Sequence, residues 1–178
     1  MHLRSILAIC LLLLLISTPE VSHAQLAKDG KAVAAPNIGS KNGFSAQLWL
    51  TEHEEFFREF AQGGNVKFDA TSNVRRDVPV FITFFITGPG LDASGAADVT
   101  ADITIRKPDG TIYFQTKDAP CWSGKYPFAA TSTQVGDAKV KLRIEAKDPA
   151  GKYTMEATVH DKAKKTDLLL KKDFEVAQ

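Results

Sequence analysis

Apolar and polar residues alternate along most of the chain after residue 43. Phe44, Ala46, Leu48 and Leu50 share one face of a predicted first strand, and Trp49 is the exception to the alternation. Further segments rich in β-branched and aromatic residues predict seven more strands: 66–70, 78–87, 99–106, 111–116, 138–146, 152–159 and 167–176. The pattern therefore predicts an all-β domain.

Two segments within this pattern have special features. Residues 81–86 are apolar on both faces, which indicates a central strand that is covered on both sides. Between the first two strands, three phenylalanines recur at helical spacing and predict a short helix with a buried face: Phe56, Phe57 and Phe60. Thr51 and Glu54 have the spacing of a capping box at its start, and glycines 63–64 supply the stop.

A tight turn is predicted at Pro108, Asp109 and Gly110, between two alternating runs. The two runs are therefore expected to form a hairpin. Its predicted inward residues are Val99, Ala101, Ile103, Ile105, Ile112 and Phe114.

A second turn, which precedes Tyr153, resembles a known corner. Tyr153 follows Asp148 and Gly151, as the tyrosine does between strands E and F of immunoglobulin-like sandwiches. The resemblance implies that the tyrosine hydroxyl forms a hydrogen bond across the turn. Met155 stands where an antibody domain has a cysteine, so the chain is more similar to disulfide-free bacterial modules of the macroglobulin type.

Several motifs, taken in order, resemble small exported proteobacterial proteins of an uncharacterised family, over residues 44–176. The motifs are Pro108-Asp-Gly110, Trp122-x-Gly-Lys125 with Pro127, Ile144-Glu145, Asp148-Pro-x-Gly-x-Tyr153 and Phe174-x-Val176. The resemblance implies an immunoglobulin-like antiparallel β-sandwich of about seven to eight strands with one short N-terminal helix. It implies no activity.

The first residues have the pattern of an export signal. An unbroken apolar run at 6–16 follows Arg4, and Ser22, His23 and Ala24 fit a cleavage site with small residues at both ends. The run is shorter than the roughly 20 residues that span a bilayer. We therefore predict a signal peptide at 1–24, a flexible leader at 25–42 and a single domain at 43–178. The protein is expected to be periplasmic or extracellular.

Charge and cysteine content limit the partners, cross-links and metal sites that the chain can have. The net charge is +1, and it stays +1 after loss of Arg4 and Glu20, so nothing indicates a nucleic-acid partner. Cleavage would leave Cys121 without a partner for an intramolecular disulfide. His53 and His160 are too few to form a zinc site with it, and we predict no metal or cofactor. An acidic loop could still hold calcium, through Asp92, Asp98 and Asp102.

The candidate site is a predicted loop at 119–128 with aromatic residues. Its candidate binding residues are Cys121, Trp122, Lys125, Tyr126 and Phe128, and the candidate structural residues are Pro108, Gly110, Asp148, Gly151 and Tyr153. Tryptophan and tyrosine are effective anchors of interfaces. The hypothesis is therefore a non-enzymatic module that binds a protein of the bacterial envelope. Two alternatives remain. In the first, exposed Trp122 and Tyr126 bind a glycan. In the second, the protein is a thiol enzyme or redox protein, and Cys121 is activated by a lysine or by His160, which Asp161 would orient.

Overall fold

The computed structural model describes residues 35–63, 66–137 and 139–177. The predicted signal peptide and most of the predicted leader lie outside the described residues. Within them the chain forms ten strands and one helix: β1 (Ile38–Lys41), β2 (Phe44–Thr51), α1 (Glu55–Ala61), β3 (Asn73–Val74), β4 (Val80–Thr87), β5 (Ala96–Arg106), β6 (Ile112–Lys125), β7 (Thr133–Val135), β8 (Val140–Leu142), β9 (Gly151–Asp161) and β10 (Thr166–Val176). None of the described helical residues forms a segment long and apolar enough to cross a membrane.

The strands form two sheets. The first has the order β1-β2-β4, and both β7 and β8 pair with the far side of β4. The second has the order β3-β10-β9-β5-β6. Pairing is antiparallel except between β3 and β10. The predicted all-β sandwich is confirmed at this level, with ten strands where the sequence predicts seven to eight.

The main core lies between the sheets and follows the predicted alternation. In β2 the inward residues are fully buried: Phe44, Ala46, Leu48 and Leu50. The same holds for β5 with Val99, Ala101, Ile103 and Ile105, and for β9 with Tyr153, Met155, Ala157 and Val159. Burial of each large side chain contributes about 1.5–3 kcal/mol, so the two inner faces supply the main driving force for folding.

A smaller aromatic core covers the outer face of the first sheet. Phe56 and Phe57 of α1 are buried against Phe81 of β4. Strand β4 therefore has apolar contacts on both faces, as its sequence predicts. The predicted capping box is wrong: the helix begins at Glu55, no side chain caps it, and the Thr51 hydroxyl accepts a hydrogen bond from the amide of His53 instead.

Four other local predictions differ from the structure. Residues 66–70 are irregular, because Phe68 packs between Phe56 and Phe85 with ring centroids 4.9 Å apart in both pairs. The predicted strand at 138–146 is reduced to Val140–Leu142, and residues 38–41 of the predicted leader form β1. Ile112, predicted to face inward, is 52% exposed at the start of β6.

Candidate functional site

The predicted loop at 119–128 is a strand over most of its length. β6 runs to Lys125 and pairs with β5, opposite Val99 and Asp98 at Trp122 and Ser123. The register shifts at this point, because Trp122 lies opposite Val99 while Pro120 lies opposite Thr100, so Cys121 is the extra residue of a bulge and simple alternation does not hold. Paired residues of neighbouring strands share a face, so Trp122 lies on the inner face with the buried Val99, at the edge of the sheet, and Cys121 is buried as well.

Three of the predicted binding residues meet as one aromatic cluster, which consists of Trp122, Tyr126 and Phe128. The ring centroids are 5.0 Å apart for Trp122 and Tyr126, 5.9 Å for Trp122 and Phe128, and 5.4 Å for Tyr126 and Phe128. All three pairs are edge-to-face, the arrangement that aromatic quadrupoles favour. The cluster stands at the junction between β6 and the loop that leads to β7.

Hydrogen bonds fix the cluster in place. The indole Nε1 of Trp122 donates to the carbonyl of Lys125 at 3.3 Å, and the Lys125 ammonium donates to the carbonyl of Ser94. The Tyr126 hydroxyl donates to the carbonyl of Ser132 at 3.2 Å. Burial raises the pKa of Tyr126 above its usual range, so its hydroxyl stays protonated as a donor.

The three rings differ in exposure. Tyr126 is buried, Trp122 is half-buried and packs partly against the main core, and Phe128 is 42% exposed. Trp122 therefore contacts both the main core and Phe128, so it has a packing role as well as a place in the cluster. Phe128 is the most exposed member of the cluster, and Trp122 is partly exposed.

Cys121 directly precedes Trp122 in β6 and is fully buried. Burial, together with the negative charge of Asp137, raises the pKa of the Cys121 thiol to about 12. Since the thiolate is the nucleophilic form, a thiol with this pKa is inert at neutral pH. Of the five predicted binding residues, Cys121 therefore belongs to the core.

His160 does not pair with Asp161, although the thiol-dependent alternative needs this pairing. Nδ1 of His160 lies 2.8 Å from the carboxylate of Asp167, and Nε2 lies 3.8 Å from that of Asp102, on the outer face of the second sheet. Asp161 points the other way and is buried, where it accepts from the amides of Gly90 at 2.6 Å and Lys164 at 2.9 Å. Cys121 faces the opposite side of the same sheet, so His160 does not serve it as a base.

The three aspartates that were considered as possible calcium ligands do not form one group. Asp92 accepts hydrogen bonds from Ser94 and Ala96 within its own turn, and Asp98 pairs with Lys162 at 3.3 Å. Asp102 accepts from the amide of Asp118. In the part of the chain that the structure describes, no three histidine, cysteine or acidic side chains are placed to hold a metal ion.

The predicted corner is present. The Tyr153 hydroxyl donates to the carbonyl of Pro149 at 2.9 Å, as the resemblance implies, and its ring stacks on Phe174. The Asp148 carboxylate accepts from the amide of Glu145 and from the hydroxyl of Tyr113, both at 2.9 Å. Tyr113 was not among the predicted structural residues, although its place in the hairpin opposite β5 was predicted.

The turn between β5 and β6 packs against the same corner. Gly110 donates to the carbonyl of Lys107 at 2.9 Å and closes the predicted turn. A Cβ at Gly151 would lie 3.3 Å from Cγ of Pro108, so the two turns are in contact. All five predicted structural residues therefore lie at one end of the sandwich, at the corner and its neighbouring turn.

A second surface feature was not predicted as a site. A depression of about 280 Å³ opens on the outer face of the first sheet, lined by Gln47, Trp49, Phe68, Ala70, Phe85 and Thr133. The signal for it was Trp49, the one large apolar residue on the polar face of β2. A larger depression of about 440 Å³ lies on the other side of residues 66–70 and is lined mainly by charged side chains.

Comparisons with known proteins give no family. No protein-family model and no curated protein matches the chain. Among solved structures, a Niemann-Pick type C2 protein from Japanese carpenter ant is similar at a TM-score of 0.41 and 13% identity, over 74% of this chain and 89% of that chain.

Two larger proteins also share partial similarity. The alkylpurine DNA glycosylase AlkC of Pseudomonas fluorescens has a TM-score of 0.37 and 14% identity, over 60% of this chain and 28% of that chain. A family 123 glycoside hydrolase from Clostridium perfringens has a TM-score of 0.37 and 9% identity, over 75% of this chain and 27% of that chain. All three TM-scores lie below 0.5, and none of these similarities assigns a function to this chain.

Proposed function

We propose that the chain is an exported, non-enzymatic binding module, an immunoglobulin-like sandwich that presents the aromatic cluster to a protein of the bacterial envelope. The observation that carries this proposal is Phe128. Its ring is 42% exposed, yet it makes edge-to-face contacts with both Trp122 and Tyr126.

The geometry of the cluster suits an interface anchor. An exposed ring that is already held in place loses little conformational freedom on binding, so more of the burial energy appears as affinity. Aromatic side chains of this kind dominate the binding energy of protein interfaces. Lys125 adds a positive charge at the rim, beside the indole to which its carbonyl is bonded.

Three further observations support the remaining parts of the proposal. Export is inferred from the apolar run at 6–16 and the cleavage pattern at 22–24. The immunoglobulin-like assignment is supported by the hydrogen bond of Tyr153 across its corner. The thiol-dependent alternative is less favoured, because the Cys121 thiol is buried and protonated at neutral pH.

The test is affinity capture from an envelope extract with the secreted protein as bait. A partner should be retained by the wild type and lost with Phe128→Ala. Leu169→Ala is the matched control, since Leu169 is 76% exposed on β10, far from the cluster in the sheet order. Equal capture by the wild type and Phe128→Ala, with both folded by circular dichroism, would remove the aromatic cluster from the proposal.

A further inference from the structure

The outer face of the first sheet carries a second candidate site, independent of the aromatic cluster. Outward residues of β2 and β4 form its base: the register places Gln47 opposite Phe85 and Trp49 opposite Thr83. Helix α1 and residues 66–70 cover only part of this face. Trp49 and Phe85 stay half-buried, and the depression of about 280 Å³ lies between them.

The aromatic walls of this depression are fixed before any ligand arrives. The indole Nε1 of Trp49 donates to Oε1 of Gln47 at 3.1 Å, and the Lys172 ammonium lies 5.3 Å from the centre of the indole ring. Phe68 and Phe85 meet edge to face at 4.9 Å. Rigid walls of this kind lower the entropic cost of binding.

Two kinds of polar group accompany these walls. Since Oε1 of Gln47 accepts from Trp49, the amide nitrogen of the same side chain is left to donate. The Thr133 hydroxyl, on the opposite wall, shares a hydrogen bond of 2.8 Å with Thr87. Behind the aromatic wall, the buried hydroxyl of Thr83 has no hydrogen-bond partner among the described residues.

The lining selects a class of ligand. None of the six lining side chains is charged, and the Lys172 ammonium beside the indole already donates to the hydroxyl of Ser72 at 2.8 Å, so the lining itself offers an ionic ligand no counter-charge for its lost hydration. A wholly apolar ligand would leave the amide of Gln47 unpaired, at a cost of about 1–3 kcal/mol. A neutral ring with polarised C–H faces and hydroxyl groups satisfies both walls, since C–H groups are attracted to the negative face of an aromatic ring.

We propose that this depression binds one neutral sugar ring, which contacts Trp49 through its C–H face and accepts a hydrogen bond from Gln47. The volume is close to the lower limit of about 300 Å³ for small-molecule sites, so it suits a single ring. The chemistry is shared by a free monosaccharide and by the terminal unit of an envelope glycan.

The experiment uses Trp49 as its own reporter. The chain has two tryptophans, and Trp122→Phe leaves Trp49 as the only fluorescent indole. The full exported chain is titrated with reducing sugars and with the methyl glycosides of glucose, galactose, mannose and N-acetylglucosamine. Reducing sugars represent the free ligand, and methyl glycosides represent a glycan end. We expect a saturable change in emission with a dissociation constant of about 1 mM for at least one probe.

Substitutions in the depression test whether the sugar binds there. Gln47→Leu should weaken binding about tenfold, and Thr133→Val serves if Gln47→Leu fails to fold. Phe128→Ala should bind the sugar like its parent, which separates this site from the aromatic cluster. The absence of saturable binding by every probe, or equal affinity in the folded Gln47→Leu variant, would overturn the proposal.

Discussion

At the scale of single residues, the reactivity of Cys121 shows whether it is a reactive thiol or a buried side chain of the core. Burial raises its pKa to about 12, so less than about one thiol in ten thousand is ionised at pH 7. We predict that iodoacetamide at neutral pH does not label the folded protein and labels Cys121 once urea unfolds it. Mass spectrometry of the intact chain measures the result. Rapid labelling without urea would restore the thiol-dependent hypothesis.

Two substitutions of Tyr153 separate the contribution of its hydrogen bond to stability from the contribution of its buried ring. Tyr153→Phe keeps the stack on Phe174 and removes only the bond to Pro149, so it should lower the free energy of unfolding by about 1 kcal/mol. Tyr153→Ala leaves a cavity as well and should cost about 3–5 kcal/mol. Urea unfolding followed by fluorescence compares the two variants. Similar losses would mean that the ring contributes little to the corner.

At the scale of elements, strands with long regular alternation were predictable and short ones were not. β5, β9 and β10 each have 11 residues, and the strands predicted at 99–106, 152–159 and 167–176 lie within them. β3 has two residues and β7 has three, too few for a period to show. Such strands form because a neighbour is available to pair with them, which depends on the tertiary structure.

The conformation of the candidate segment was not predicted. Residues 119–128 were expected to form a loop, but Pro120 and Gly124 are accommodated in β6, an edge strand whose register shifts after Val99 and after Ala101. Asp118 has a φ of 51°, so the extra residue is absorbed as a bulge. A second shift inserts Cys121 between Pro120 and Trp122, so alternation alone does not place these residues, and Trp122 shares the inner face with Val99.

Gly88 and Gly95 allow a matched comparison of alanine substitutions, one at a crowded glycine and one at an open glycine. Both have positive φ, 59° and 76°, so alanine is strained at either position. A Cβ at Gly88 would lie 2.5 Å from the carbonyl oxygen of Gly43, whereas nothing lies within 4 Å at Gly95. Gly95→Ala should therefore cost about 1 kcal/mol and Gly88→Ala clearly more. Thermal unfolding compares the two, and equal losses would contradict the close approach.

At the scale of the whole molecule, buried carboxylates connect distant segments. Asp161 bonds the amide of Gly90 to the turn between β9 and β10, and Asp148 bonds Tyr113 of β6 to the loop before β9. The described residues include no disulfide, so such contacts join segments that no covalent cross-link holds. For Asp148, whose carboxylate accepts two hydrogen bonds, the contribution to stability is expected to depend on pH in the acid range.

The shifted pKa of Asp148 determines whether the stability rises or falls with pH. Burial opposes its ionisation, but hydrogen bonds from Glu145 and Tyr113 and the charge of Lys107 hold its pKa below the ordinary value of 3.8. Because the folded pKa lies below the unfolded one, the ionised form stabilises the fold above pH 3.8, and this contribution is lost as the pH falls through the folded pKa. Stability should therefore decrease below about pH 5.

The matched variants identify the group responsible for this acid loss. Asp148→Asn should cost about 1.5–3 kcal/mol at pH 7, because it replaces a charged acceptor, and should flatten the dependence between about pH 5 and pH 2. Tyr113→Phe removes one donor to the carboxylate and should flatten it partly. Urea midpoints measured across this range give the slopes. A wild-type slope retained in Asp148→Asn would assign the acid loss to other carboxylates, such as Asp173, whose pKa is lowered by its hydrogen bond to Lys152.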